Sequence, residues 1–150
     1  MKDSRDKIDG WEMAELAEVY DTLAALIGRA LELDMDHAGR ALAVLCDDDE
    51  GLRLSRGQPE PTATHMRLLH SRVLWITVTY ESRPDGGGQR VAEVTYQGAA
   101  GDLCSARSTL AFGYDDLPGL ARQRMLASGR RAVCYQLYPV PDPRSPDEGG

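Results

Sequence analysis

The chain has 150 residues, of which 42% are hydrophobic and 27% are charged, and its formal net charge is −7. A chain of this length buries roughly two thirds of the surface that its unfolded form exposes, so it needs no disulfide or metal to build a core. No stretch approaches the ~18 consecutive apolar residues of a membrane helix, and the first nine residues carry charges where a signal peptide is apolar. These features predict a single domain in the cytoplasm, without a membrane anchor.

Cysteine and histidine show no metal-binding spacing. Cys46, Cys104 and Cys134 are odd in number and far apart, which is typical of reduced thiols rather than of a disulfide framework. His65 and His70 are five residues apart and would point in different directions on a helix or a strand. The sequence also lacks a G-x-S-x-G motif and a phosphate-binding glycine loop. We therefore predict no metal, no cofactor and no catalytic residue, and the sequence indicates no enzyme class.

The negative charge is concentrated in the first third of the chain. Residues 1–50 contain 14 acidic and five basic side chains, whereas residues 51–150 contain ten acidic side chains and twelve arginines. This asymmetry can steer a charged partner, although acidic helices are commonly just solvated. The acidic residues that we single out as partner-binding candidates are Asp47, Asp48, Asp49 and Glu50. A basic patch is predicted near the C-terminus from Arg122, Arg124, Arg130 and Arg131.

Two amphipathic helices are predicted before residue 50. Residues 1–9 are mostly charged and are expected to be disordered, and the first helix begins near residue 10. Its apolar side chains recur every three or four residues, as on one face of an α-helix. They are Met13, Leu16, Tyr20, Leu23, Ile27 and Ala30. An aspartate near residue 35 caps a second helix that the acidic run ends, although one continuous helix from about 10 to 46 remains open.

The sequence between the helices and the sheet is less regular. Residues 52–56 alternate between apolar and polar side chains and predict a short edge strand. Residues 57–61 contain two prolines and predict a loop. Residues 62–70 fit either a short helix or the start of a strand. With a strand at 52–56, the order of elements from residue 52 onward is similar to the ferredoxin-like class at the level of fold only, which implies no function.

Three strands with alternating polarity are predicted next, at 73–80, 89–97 and 103–113. Glycine-containing turns at 84–88 and 98–102 join them into an antiparallel meander. One face of this sheet is apolar, and the third strand directs Leu110 towards it. The sheet is expected to pack against the helices through that face.

The last part of the chain predicts one helix and one strand. Asp115 and Asp116 open the helix, Gly129 ends it, and residues 132–138 form the strand. The tail at 139–150 is rich in proline and is expected to be disordered. The complete prediction is an α+β domain over residues 10–138, with an N-terminal acidic helical pair plus one later helix packed on an antiparallel sheet of four or five strands.

The second face of the predicted sheet carries a mixed set of side chains around one large aromatic residue. An exposed tryptophan with threonine and arginine neighbours is typical of a binding hot spot. The set comprises Trp75, Thr77, Thr79, Val91, Glu93, Thr95, Ser105, Arg107 and Thr109. The alternative is that the N-terminal helices pack on this face and bury Trp75 as part of the core. Trp11, near the start of the first helix, has the same ambiguity.

Three functions remain open from the sequence. The leading hypothesis is a non-catalytic protein-binding module of adaptor, immunity or regulatory type, which acts through the acidic helices or the Trp75 face and forms a homodimer. The first alternative is a ligand-binding or enzymatic domain with a pocket between helices and sheet, using residues such as His65, His70, Glu93 or Arg107. The second is a nucleic-acid-associated regulator or an acidic mimic of nucleic acid. Direct nucleic-acid binding is disfavoured, because acidic helices repel phosphate.

Overall fold

The computed structural model describes residues 13–33, 35–113 and 118–139. Over these residues the chain has five helices and one four-stranded antiparallel sheet, which confirms the predicted α+β class. The helices are α1 (Met13–Leu31), α2 (Met35–Cys46), α3 (Asp49–Leu54), α4 (Ala63–Arg72) and α5 (Gly119–Ser128). The strands are β1 (Val73–Ser82), β2 (Gly87–Gln97), β3 (Leu103–Gly113) and β4 (Ala132–Tyr138). In the sheet they lie in the order β3-β2-β1-β4.

Several sequence predictions fall outside the described residues. These are the disordered segment at 1–9, the start of the first helix near residue 10, the helix start at Asp115 and Asp116, and the tail from residue 140 onward. Among the described helices, none combines the length and the apolar content needed to cross a bilayer.

The first two helices are separate, as predicted. Most of the apolar stripe of α1 is buried, with Leu16, Leu23 and Ile27 almost inaccessible to solvent, whereas Met13 at the start of the helix is 43% exposed. The helix ends where Glu32 adopts a left-handed conformation (φ 58°) and the Leu33 amide donates to the Gly28 carbonyl at 3.0 Å. This is the hydrogen bond of a Schellman motif, which turns the chain out of the helix. The continuous helix from 10 to 46 is therefore excluded.

The strand predicted at 52–56 is wrong, because this part of the chain continues a helix. Asp47 ends α2 in a left-handed conformation (φ 51°). Asp48 then acts as the N-cap of α3, with its carboxylate accepting a hydrogen bond from the Glu50 amide at 3.3 Å. The acidic run thus starts a new helix that extends to Leu54. Without this strand the first β-α-β unit is missing, and β1, β2 and β3 are consecutive neighbours in the sheet, so the similarity to the ferredoxin-like class is lost.

The ambiguous segment at 62–70 is helical. Thr62 caps α4 through a capping box, in which its hydroxyl accepts from the His65 amide and the His65 ring accepts from the Thr62 amide. Leu69 anchors this helix in the core. The segment before it, from residue 55 to residue 62, has no helix or strand, in agreement with the loop predicted at 57–61.

The meander of β1, β2 and β3 is confirmed. Both connecting loops contain three residues and have the same pattern of hydrogen bonds. In the first loop the Arg83 amide donates to the Gly87 carbonyl at 2.7 Å, and in the second the Gly98 amide donates to the Asp102 carbonyl at 2.7 Å. Each loop contains a glycine at positive φ, Gly86 in the first and Gly101 in the second. This geometry corresponds to a type I turn closed by a residue in the left-handed region, where glycine is favoured.

All five helices contribute to a single apolar cluster on one face of the sheet. The sheet contributes Ile76, Val78 and Tyr80 from β1, and the matching positions of β2 and β4. Leu110 is an exception to the predicted pattern, because it is 42% exposed. It lies on β3, which is an edge strand of the sheet.

Candidate functional site

The second face of the sheet is not covered by any described helix. The residues predicted to share this face form three cross-strand rows, each with one residue from β1, one from β2 and one from β3. The rows are Trp75, Thr95 and Ser105; Thr77, Glu93 and Arg107; and Thr79, Val91 and Thr109. β4 extends the last two rows with Gln136 and Cys134. We call this set of side chains the open face.

Trp75 is the largest side chain on the open face and is 50% exposed. Its neighbour Ile76 points towards the helix layer, where it is fully buried. The described helices therefore pack on the opposite side of the sheet. The alternative in which the N-terminal helices bury Trp75 is wrong for the described helices. Trp11 lies outside the described residues.

The charged residues of the middle row are paired with each other. The Arg107 guanidinium donates to the Glu93 carboxylate at 3.0 Å across the β2–β3 pair. Both side chains are accessible, so this pair contributes no more than about 1 kcal/mol to stability. The effect of this ion pair on the open face is electrostatic, because the two opposite charges leave the centre of the face close to neutral.

The acidic run does not form one surface. Asp48 is only 4% exposed, and its carboxylate accepts a hydrogen bond from the Tyr20 hydroxyl at 2.7 Å as well as capping α3. Glu50 forms an ion pair with Arg53 at 3.1 Å. Asp47 and Asp49 are exposed. The run belongs to the helix layer, so the structure does not bring it together with the open face.

The predicted basic patch is partly assembled. Arg124 and Arg130 line a surface depression of about 630 Å³ beside the start of β4, with Cys134 on its rim. The Arg124 guanidinium also lies over the Tyr135 ring, 5.5 Å from its centroid. Arg131 is exposed in the turn before β4, while Arg122 is half-buried on α5.

The residues suggested for a ligand pocket lie in different parts of the molecule. His65 takes part in the cap of α4, and His70 is exposed further along the same helix. Glu93 and Arg107 belong to the open face. A cavity of about 320 Å³ does exist in the helix layer, between α1, α2 and α3. Its polar lining consists of Tyr20, Asp21, Ser55 and Gln58.

A charged cluster that was not predicted from the sequence lies beneath α1. Arg90 on β2 is 4% exposed, and its guanidinium lies 3.0 Å from the Glu15 carboxylate and 3.2 Å from that of Glu18. The Tyr80 hydroxyl donates a short hydrogen bond to Glu15. The strand alternation could have revealed this cluster, because Arg90 is in phase with the buried residues Ala92 and Val94.

The electrostatics of this cluster follow from burial and hydrogen bonding. Burial raises the pKa of Tyr80 well above its ordinary value, and the hydrogen bond to the Glu15 carboxylate raises it further. Burial alone would lower the pKa of Arg90, but the hydrogen bonds and charge interactions with Glu15 and Glu18 together outweigh that effect and raise the pKa. The cluster is therefore held as a neutral tyrosine, a cationic arginine and its acidic partners.

The three cysteines are thiols in different surroundings. Cys46 is buried and Cys134 is exposed. The Cys104 thiol donates to the Asp102 carboxylate at 3.2 Å, and this hydrogen bond raises the pKa of Cys104. A raised pKa lowers the thiolate fraction at neutral pH, so Cys104 is not an activated nucleophile.

Over residues 13–33, 35–113 and 118–139, no three side chains of histidine, cysteine, aspartate or glutamate are grouped so that they could hold a metal ion. Comparison of the chain with protein-family models, with curated proteins and with solved structures gives no match.

Proposed function

We propose that this chain is a non-catalytic protein-binding module and that the open face is the surface on which its protein partner docks. The observation that carries the proposal is the position of Trp75, which is half-exposed near one end of a sheet face that no described helix covers. Tryptophan is among the residues that contribute most to protein–protein binding energy.

The surroundings of Trp75 favour a protein partner. Thr77, Thr79 and Thr95 are short, β-branched side chains on hydrogen-bonded strands, so they lose little conformational freedom when a partner covers them. A sheet face of this kind presents an extended surface, whereas sites for small molecules are concave. It fits a protein surface with an apolar recess for the indole ring and a carbonyl acceptor for its N–H group.

The charge of the open face indicates what charge the surface of the partner carries. Because Glu93 and Arg107 neutralise each other, the face offers no net charge to a strongly acidic or basic partner. We therefore expect affinity that changes little between low and physiological salt. Binding through Asp47, Asp49 and Glu50, as in an acidic nucleic-acid mimic, would instead weaken steeply as salt increases.

The experiment compares Trp75→Ala with Leu126→Ala. Leu126 is 76% exposed on α5 in the helix layer, so its replacement is a matched loss of an exposed apolar side chain away from the open face. Proteins retained by the immobilised wild-type chain from native extract are identified, purified and titrated against both variants. Thermal unfolding of each variant confirms that it is folded.

We expect Trp75→Ala to weaken binding of the purified partner by a factor of about 30 or more, which corresponds to the ~2 kcal/mol of a hot spot, and Leu126→Ala to leave it unchanged. Equal binding by the two variants, or the absence of any protein retained by the wild-type chain, would overturn the proposal. Loss of binding with Asp49→Asn but not with Trp75→Ala would transfer the function to the acidic run.

A further inference from the structure

The edge strand β3 lacks the features that normally prevent an exposed strand from pairing with another chain. It is 11 residues long and pairs with β2 without any register shift. Its only charged residue is Arg107, and it contains no proline. Leu103 is 72% exposed and Leu110 is 42% exposed. Native edge strands are usually short, bulged, or protected by lysine or proline, because a regular edge is a template for strand addition.

The hydrogen bonds of the adjacent loop show which backbone groups of β3 point outward. The Gly98 amide donates to the Asp102 carbonyl at the β2–β3 turn, so these two residues form a hydrogen-bonded pair. Hydrogen-bonded pairs alternate along an antiparallel ladder, and Tyr96 with Cys104 is therefore the next such pair. It follows that the even-numbered residues of β3 bond to β2. The odd-numbered residues, from Leu103 to Gly113, direct their amide and carbonyl groups away from the sheet.

We propose that a second copy of this chain binds at this edge, with the two β3 strands antiparallel about a two-fold axis through Ser108. Ser108 is the midpoint of the strand Leu103–Gly113, so this register pairs the whole length of both strands. All outward amide and carbonyl groups then bond to their equivalents in the other copy. The two four-stranded sheets become one continuous sheet of eight strands. An interface of this type is self-complementary, as a two-fold axis requires.

The side chains of β3 favour this register. It places each exposed leucine opposite one of the smallest residues of the other copy, with Leu103 facing Gly113 and Leu110 facing Ala106. It also places Arg107 opposite Thr109. An axis through Arg107, which is the neighbouring register, would put the two guanidinium groups directly opposite each other, and like charges in that position are destabilising.

This proposal does not rest on the proposed function, but it has a consequence for it. The two-fold axis is perpendicular to the sheet, so both helix layers lie on one side and both open faces lie on the other. The Trp75 side chains of the two copies are five strand spacings apart across the sheet, about 24 Å, and six residues apart along the strands, about 20 Å, which gives a separation of about 31 Å. The dimer would therefore present two docking surfaces in the same direction.

The first experiment measures the mass of the purified chain by light scattering. We expect the wild type to have twice the 16.4 kDa of one chain and Thr109→Pro to have the mass of one chain. The Thr109 amide points outward, and proline is tolerated on an edge strand where the N–H faces solvent. Thr109→Val keeps the amide and should remain dimeric. A monomeric wild type, or a dimeric Thr109→Pro, would overturn the proposal.

Two further measurements test the register and do not depend on proline being tolerated. Thr109→Glu adds a carboxylate opposite Arg107 of the other copy, so the dissociation constant of the dimer should fall several-fold. Thr109→Lys adds a second positive charge there, so the dissociation constant should rise by a similar factor. Equal effects of the two substitutions would contradict the pairing of Arg107 with Thr109.

A disulfide provides the third test. Ser108 faces its own equivalent at a non-hydrogen-bonded position, where Cα atoms are about 4.5 Å apart, within the range of a disulfide. In a Cys104→Ser, Cys134→Ser background, Ser108→Cys should give covalent dimers on mild oxidation, and Ser105→Cys should not. Trp75→Ala should leave the mass unchanged, so failure of the dimer and failure of the open face as a docking surface are distinguishable.

Discussion

Arg90 lies beneath helix α1 with its guanidinium 3.0 Å from the carboxylate of Glu15, a residue 75 positions earlier in the chain. The two side chains connect the first described helix to the second strand of the sheet. Their ion pair is largely removed from solvent, with Arg90 at 4% and Glu15 at 18% side-chain exposure. A pair of this kind stabilises only as long as both members are present, because each would otherwise be an uncompensated charge.

Replacement of Arg90 by alanine should therefore be strongly destabilising. We expect a loss of about 3 kcal/mol in the free energy of unfolding, since Glu15 then stays partly buried without its cation. Glu18 also contacts Arg90 but is 65% exposed, so Glu18→Gln should cost less than about 1 kcal/mol. Urea denaturation at pH 7 measures both values. Similar losses for the two variants would show that burial of the cluster is not what stabilises it.

Stability should fall at alkaline pH because of Tyr80. Its folded pKa is raised by burial and by Glu15, whereas the unfolded chain releases this proton near pH 10. The unfolded state then binds fewer protons, so the stabilisation is complete below pH 10 and is lost as pH rises above it.

The slope attributable to one such proton is about 1.4 kcal/mol per pH unit. Tyr80→Phe should reduce the slope of unfolding free energy between pH 10 and 11 by about 1 kcal/mol per pH unit, because the unfolded tyrosine is only half ionised at pH 10. Tyr96→Phe, at a partly exposed position, serves as the control. An unchanged slope in Tyr80→Phe would mean that Tyr80 titrates normally in the folded protein.

Asp48 should differ sharply from its acidic neighbour in its effect on stability. Asp48→Ala removes the cap of α3 and the acceptor for the buried Tyr20 hydroxyl, so we expect a loss of about 2 kcal/mol. Asp49→Ala removes an exposed carboxylate and should change stability by less than about 0.5 kcal/mol. Thermal unfolding of the two variants gives the comparison. Equal losses would argue that the net charge of the run, and not its geometry, affects the fold.

Gly51 in α3 should not tolerate a methyl group. Alanine ordinarily stabilises a helix by about 1 kcal/mol relative to glycine, but a Cβ atom at Gly51 would lie 2.6 Å from the Tyr20 ring and hydroxyl. We expect Gly51→Ala to destabilise by about 1 to 3 kcal/mol. Gly57→Ala, where a Cβ atom meets nothing within 4 Å, is the matched control and should be neutral. A stabilised Gly51→Ala would show that Tyr20 can move away.

The parts of the fold that depend on local patterns could be predicted from the sequence. The spacing of Leu16, Leu23 and Ile27 determines which side of α1 is buried, and the alternation from Trp75 to Tyr80 determines which side chains of β1 share a face. Gly86 and Gly101 occupy turns that favour positive φ. In each case the residues that carry the signal are close together in the chain, so one sequence is sufficient.

The parts that failed depend on contacts between distant residues. Leu52 to Arg56 alternate like a strand, but Asp48 starts a helix there, and its carboxylate is held by Tyr20, 28 residues earlier. Strand alternation places Arg90 on the buried side of β2, but its partners Glu15 and Glu18 lie on another element and are not specified by that pattern. The exposure of Trp75 likewise depended on which side of the sheet the helices choose, and alternation alone does not specify that.

The long separation between Glu15 and Arg90 also has a consequence during synthesis. Translation proceeds at about 5 to 20 residues per second, so roughly 4 to 15 s pass between the addition of the first residue and the addition of the second. Throughout that interval the apolar side of α1 has no sheet to cover it. The nascent chain therefore exposes the apolar face of an amphipathic helix before the β-hairpin has left the exit tunnel. Ribosome-associated chaperones bind exposed apolar segments of this kind.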